Sequence, residues 1–304
     1  MGAGGRGFES LHPDLFFSYF YPIMKKNLLP QDLLYQKAYQ LARRINTHIR
    51  QDVLTALRDQ YGQIPSKTGR SDALRCFLGA LIENTSIARN KGLPLCQDTG
   101  LVIMYVELGA NDVIDREGVL SLKRAVEAAY KDSRFRASVV DPIKRGAPSY
   151  KGTADVHVEF TNKKRSRLVM LAKGFGSENK SKTRMFLPTA SNEEVVDFIV
   201  DTVKSAGPAA CPPFILGIGI GGTLDKAAYL AKKALALPIN NRGADKFVQD
   251  AIKRCNELHM GILGLGIGGT VLGINMLKAP THIAGLPVAV NIGCHSTRSG
   301  SLWL

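Results

Sequence analysis

No stretch of the 304 residues approaches the roughly 20 consecutive uncharged apolar residues that a membrane-spanning helix requires. The apolar and aromatic run Leu15–Met24 is too short for a span. It also lacks a small-residue cleavage pattern after a basic start, so no signal peptide is expected. C-x-x-C pairs are absent, which excludes a zinc ribbon. The close cysteine spacing of ferredoxins is absent as well. The five cysteines, Cys76, Cys96, Cys211, Cys255 and Cys294, are odd in number and spread over a long chain. A disulfide framework is therefore not expected, and a reducing, cytoplasmic setting is. There is no low-complexity insert and no evident linker.

Acidic residues are scarce relative to basic ones, 26 against 40, leaving a formal net charge of +14. The basic residues are scattered, with only short clusters such as Lys163–Arg167, so no nucleic-acid footprint on one face is evident. A bland basic surface, or attraction of an anionic substrate or an acidic partner subunit, remains open. Hydrophobic residues (45%) and charged residues (22%) stand in the proportions of a folded globular chain, which excludes global disorder.

Residues 1–23 read as an irregular extension and residues 24–304 as one domain. Helical spacing runs from about Pro30 to Tyr61 and again over 71–90, where Ser71 is placed to cap and Leu74, Phe77, Leu78, Leu81 and Ile82 form a stripe. Cys76 lies beside that stripe and reads as a packing residue. Leu101–Leu108 is a predicted strand, 117–131 a helix, and 141–152, with Pro142, Gly146, Pro148 and Gly152, a loop. Ala154–Phe160 and Arg167–Ala172 predict an antiparallel pair joined by a basic turn. Helices follow at 192–205, capped by Ser191 or Asn192, at 223–235 and at 244–258, with strands at 212–218 and 286–292. The fold class is α+β: mixed helices and mostly antiparallel strands around a cleft.

Two segments echo each other, Leu216–Thr223 and Leu263–Thr270. Both carry G-x-G-x-x-G, at Gly217, Gly219 and Gly222 and at Gly264, Gly266 and Gly269. A dinucleotide site would need an acidic residue about 20 positions later at the end of a second strand. The sequence there, Ile239–Ala244, is a loop, so a nucleotide-binding module is disfavoured. Loops presenting bare N–H groups to a small anion or inorganic cofactor fit better, and tight strand–helix turns account for any single glycine equally well.

Cys96, Cys211 and Cys294 each lie at an element end flanked by Gly, Pro or polar residues, where a side chain can point into a cleft. Cys76 and Cys255 lie inside helical patterns. Spacing alone is satisfied by buried structural thiols. It is also satisfied by three ligands to a four-iron cluster, one iron of which would lack a protein ligand and act as a Lewis acid.

The motifs Cys96-Gln-Asp-Thr-Gly100, Lys173-Gly-Phe-Gly-Ser-Glu-Asn-Lys180, Ala210-Cys-Pro-Pro213 and Gly293-Cys-His295 occur in the order seen in class I fumarases. The chain resembles the separate α subunit of two-subunit fumarate hydratases and, more distantly, the tartrate dehydratase α subunit, from about residue 30 to 298. The resemblance implies an oxygen-sensitive 4Fe–4S cluster on Cys96, Cys211 and Cys294. It implies that Gln97, Asp98 and the backbone around Gly176 face a small dicarboxylate, and that His282 matches a family histidine 12 residues before the third cysteine. It also implies a β-type subunit that completes the site, in a dimer of such pairs, with no nucleic acid or membrane partner. Asp98 is the expected acid–base residue, with a turn carboxylate as the bland alternative. His282 is expected to orient Asp98 or the substrate, or to be an ordinary loop histidine. Gln97 is expected to bond a substrate carboxylate. The loop Gly176–Lys180 favours fumarate over tartrate. Phe175 replaces a family glycine, and the ending Thr297–Leu304 departs from relatives, which leaves the role of Arg298 open and an inactive structural subunit as a further reading.

Overall fold

A computed structural model describes residues 26–64 and 69–304; the expected extension over residues 1–23 lies outside the described residues. In chain order the elements are β1 (Asn27–Leu28), α1 (Gln31–Thr47), α2 (Gln51–Gly62), α3 (Gly69–Lys91), β2 (Leu101–Leu108), β3 (Asp112–Val113), α4 (Arg116–Asp132), β4 (Val139–Asp141) and β5 (Arg145–Ser149). Next come β6 (Ala154–Phe160), β7 (Arg167–Lys173), the single turn α5 (Phe175–Glu178), β8 (Lys182–Phe186), α6 (Asn192–Ala206), β9 (Phe214–Gly222) and α7 (Leu224–Leu235). The chain ends with α8 (Lys246–Asn256), β10 (Val271–Thr281), β11 (Leu286–Gly293) and β12 (Arg298–Trp303).

Two four-stranded sheets dominate, in the orders β12-β7-β2-β6 and β10-β9-β11-β8. Both are mixed: β2–β6 and β9–β10 run parallel, while β2–β7, β7–β12, β9–β11 and β8–β11 run antiparallel. The α+β class and the preponderance of antiparallel pairs are as expected. Helices α1 and α4 cover one face of the first sheet through Leu34, Leu41, Val126 and Tyr130, packed on Val102, Met104 and Val106. The opposite face, Ile103, Tyr105 and Val169, meets Tyr229 of α7. Helix α7 also lies on the second sheet, whose far face packs Phe214, Leu216 and Ile218 against α6 and α8. Burial of β2 on both faces explains its nearly unbroken apolar run, LVIMYVEL.

Helix α6 starts as its sequence predicts. The Ser191 hydroxyl accepts from the Glu194 amide at 3.2 Å, and the Glu194 carboxylate accepts from the Ser191 amide at 2.7 Å, a complete capping box. Other expectations are corrected. β6 and β7 do not pair with each other; β2 lies between them, because its two-sided apolar surface takes the central place. Residues 139–149 form a short hairpin rather than a loop. Helix α3 begins at Gly69, two residues before Ser71, and Phe77 and Cys76 are exposed rather than packed. β8, β10 and β12 have no counterpart in the sequence reading. Nor do Gly217 and Gly219 form a loop: they sit inside β9, where α7 crosses in backbone contact.

Candidate active site: a three-thiol half-site

Four chain segments meet at one end of the two sheets. The first is the loop before β2. Gly100 has φ +72, and a Cβ there would fall 2.3 Å from the Lys173 carbonyl oxygen, so only glycine lets the loop cross the end of β7 this closely. Asp98 organises the crossing. Its Oδ1 accepts from the Gly100 amide at 3.0 Å and its Oδ2 from the Phe175 amide at 2.7 Å. The turn-carboxylate reading of Asp98 is therefore realised, although each oxygen keeps a second lone pair. Phe175 supplies only its N–H to this contact, and its ring is half-exposed.

The second segment is the α5 turn. Gly176 is exposed and stands beside Ala209, whose carbonyl would lie 3.9 Å from a Cβ at that position. Ala209 belongs to the third segment, the 3-10 turn that delivers Cys211 in a left-handed conformation, φ 57. The fourth segment follows β11. The His295 amide donates to the Cys211 carbonyl at 3.2 Å, and its ring Nδ1 is 3.2 Å from the same oxygen. Cys294 Sγ lies 3.2 Å from Ser296 Oγ.

The three thiols thus share one neighbourhood. Burial pushes the Cys211 thiol above its ordinary value, and the charges of Cys294 and then Cys96 push it further. Gln97 is exposed beside them. Among the described residues no three His, Cys, Asp or Glu side chains converge on a single metal ion. Cluster ligands each bind a different iron and have no need to converge on one point. Three thiols drawn from distant parts of the chain, two of which act electrostatically on the third, form a donor set suited to a positively charged group.

His282 is placed elsewhere. It is exposed just past β10, with Nδ1 accepting from the Ala284 amide at 3.1 Å. The pairing of Thr281 with Gly222 and of Gly293 with Ile215 puts His282 and Cys294 at opposite ends of β9. Nine strand residues separate them, roughly 30 Å at about 3.3 Å per residue. The chain does not bring His282 to its own cysteines.

A buried ionic group behind the thiols was missed by sequence reasoning, although its residues lie partly in the quoted motif. Lys173 Nζ donates to the Ile292 carbonyl at 2.6 Å and to Ser177 Oγ at 2.7 Å, and lies 3.4 Å from Glu178. Glu178 also receives Lys232 Nζ, and Asn291 Nδ2 at 3.3 Å. Burial pushes the Lys173 ammonium down to about 8 from 10.5, and Glu178 opposes the fall. Burial by itself would raise the Glu178 carboxyl; Lys173 and Lys232 hold it below the usual carboxylate range. Between about pH 8 and 10.5 the unfolded chain therefore holds a proton on Lys173 that the folded chain has lost. This group makes stability rise with pH across that window. Denaturation of the wild type and Lys173→Met at pH 8 and pH 10 should show the gap between them moving in the wild type's favour; a constant gap would contradict the burial of this cation.

The chain matches the family described as fumarate hydratase (Fumerase) over residues 35–302. It is 33% identical over 274 residues to the Methanocaldococcus jannaschii protein named "Putative L(+)-tartrate dehydratase subunit alpha", covering 85% of this chain and 93% of that one. It is 26% identical over 266 residues to the L(+)-tartrate dehydratase subunits alpha of Escherichia coli and Shigella boydii, covering 85% of this chain and 86% of each.

Proposed function

The chain belongs to the fumarate hydratase (Fumerase) family, and from that premise we propose that it is a hydro-lyase catalysing the reversible hydration of fumarate to malate, as the α subunit of an enzyme completed by a β-type subunit. Cys96, Cys211 and Cys294 would hold a 4Fe–4S cluster. The observation that carries the proposal is the meeting of the segments that bear these thiols: the His295 amide donates to the Cys211 carbonyl, the Cys96 loop accepts from the Phe175 amide through Asp98, and the next residue, Gly176, stands beside Ala209. When bound, the cluster would supply an iron without a protein ligand as a Lewis acid for the water or hydroxyl oxygen.

The residues of this chain have separate tasks. Asp98, fixed by the Gly100 and Phe175 amides, has free lone pairs with which to take and return the proton at the substrate carbon. Gln97, exposed on the same loop, would hydrogen-bond a substrate carboxylate, and the exposed backbone at Gly176 would face the substrate. Lys173 holds the strand end before Cys294 through the Ile292 carbonyl. His282 would act only if presented to the site of a second copy, which a dimer of α–β pairs would permit. The basic net charge suits a dianionic substrate or an acidic companion.

Tartrate dehydration is the second reading, favoured by the names of the similar proteins. Anaerobically prepared protein, reconstituted with iron and sulfide and combined with its β-type subunit, should show broad visible absorption and hydrate fumarate. Faster turnover of tartrate than of fumarate or mesaconate would move the assignment to the second reading. Failure to take up iron would end the cluster proposal.

A further inference from the structure

The loop that carries Cys96, Gln97 and Asp98 is held from behind by an unusual arginine. Arg298, at the start of β12, is 2% exposed. Its Nη2 donates to the Asp98 carbonyl at 2.7 Å and its Nη1 to Asn46 Oδ1 at 3.0 Å. Asn46, on α1, is itself fully buried, and its Nδ2 donates to the Ala42 carbonyl at 2.9 Å and to the Tyr130 hydroxyl at 3.1 Å. The Tyr130 hydroxyl, on α4, donates to the Thr99 carbonyl at 2.9 Å. Two successive carbonyls of the loop are thus gripped from the interior, while the Asp98 carboxylate is gripped from the front.

Both hydrogen-bond acceptors of Arg298 are neutral, and its Nε is buried without a hydrogen-bond partner. A buried cation in such company is costly. Packing alone would be served as well by an apolar side chain of similar volume. What an apolar side chain lacks is the rigid fork that reaches two acceptors at a set angle, and a lysine lacks it too. The fork also ends beside the site: Arg298 Nη2 and Asp98 Oδ2 lie 3.4 and 3.1 Å from the place where a Gly174 Cβ would stand.

We propose that Arg298 is a positioning residue of the half-site, which with Asn46 and Tyr130 clamps the Cys96–Gly100 loop and sets where Cys96, Gln97 and Asp98 stand. The chemical consequence rests on the hydro-lyase reading; the clamp itself does not.

Hydrogen exchange of the isolated chain tests the clamp. In Arg298→Met, amides of the 96–100 loop should exchange at least about tenfold faster, matching the loss of a hydrogen bond from a charged donor. Peptides from α6 and α8 should keep wild-type rates, and Arg298→Lys should fall between. Tyr130→Phe removes the link to Thr99 and the bond from Asn46 while leaving Arg298 and both of its acceptors in place, and should quicken the same loop about fivefold; it decides the matter if Arg298→Met does not fold. In the loaded enzyme with its β-type subunit, Arg298→Lys should lower kcat at least about fivefold at unchanged iron content, with KM moving less. Wild-type exchange in the loop of the folded variants, or an equal rise in every peptide, overturns the clamp. A wild-type protein that takes up no cluster would defeat the hydro-lyase reading and leave the exchange result to stand on its own.

Discussion

Replacing any one of Cys96, Cys211 or Cys294 with serine is expected to abolish the visible absorption of the reconstituted protein and its hydro-lyase turnover together. The three thiols sit at element ends in one electrostatic neighbourhood, and metal affinity depends on deprotonated sulfur. A serine hydroxyl does not ionise near neutral pH, so each change removes a ligand rather than weakening one. The remaining cysteines are the controls. Cys76 is exposed on α3. Cys255 lies in the core of the second sheet, where burial pushes its thiol up to about 12. Cys76→Ser and Cys255→Ala should therefore keep wild-type iron content, the latter with some loss of stability. Iron analysis of the five variants checks the assignment. Full iron in Cys211→Ser, or loss of iron in Cys255→Ala without unfolding, would defeat it.

The second large effect concerns folding. A Cβ on Gly219 would stand 2.0 Å from the Ala227 carbonyl oxygen and 2.6 Å from the Ala231 amide nitrogen; one on Gly217 would stand 2.0 Å from the Ala231 carbonyl oxygen. These neighbours are backbone of α7 and cannot rotate aside. β9 lies between β10 and β11, so neither can the strand retreat. Overpacking typically costs about 1–3 kcal/mol where side chains can yield; here the helix itself must move. Gly219→Ala should lower Tm by at least about 5 °C, and Gly219→Val should give no soluble folded protein, against a total stability of about 5–15 kcal/mol. Gly62→Ala is the control, since nothing lies within 4 Å of its added methyl. Calorimetry decides: a Gly219→Ala chain that melts with the wild type would mean that α7 does not approach the strand this closely.

These two cases show where sequence reasoning succeeded and where it stopped. The three cysteines were separable from Cys76 and Cys255 because glycine, proline and polar neighbours mark element ends, a local property. The glycine repeats were misread because the same residues serve two purposes. A G-x-G pattern looks alike whether the backbone approaches a ligand or another helix, and only the position of α7 distinguishes them. Strand pairing failed for the same reason. Nearness in sequence suggested joining β6 to β7, while the two-sided apolar surface of β2 claimed the place between them.

The chain's composition and local patterns alone determined the α+β class, most element positions, the start of α6 at Ser191 or Asn192 and the placing of Cys96, Cys211 and Cys294 at element ends. These follow from periodicity, capping chemistry and punctuation, which act over a few residues. Tertiary structure decided that the thiols share one neighbourhood, that His282 stands about a strand's length away from them, and that Lys173, Asn46, Tyr130 and Arg298 support the site from inside. Their partners lie up to 252 residues away along the chain, as Arg298 does from Asn46. Such contacts exist only after the sheets and helices have packed, and no local signal encodes them.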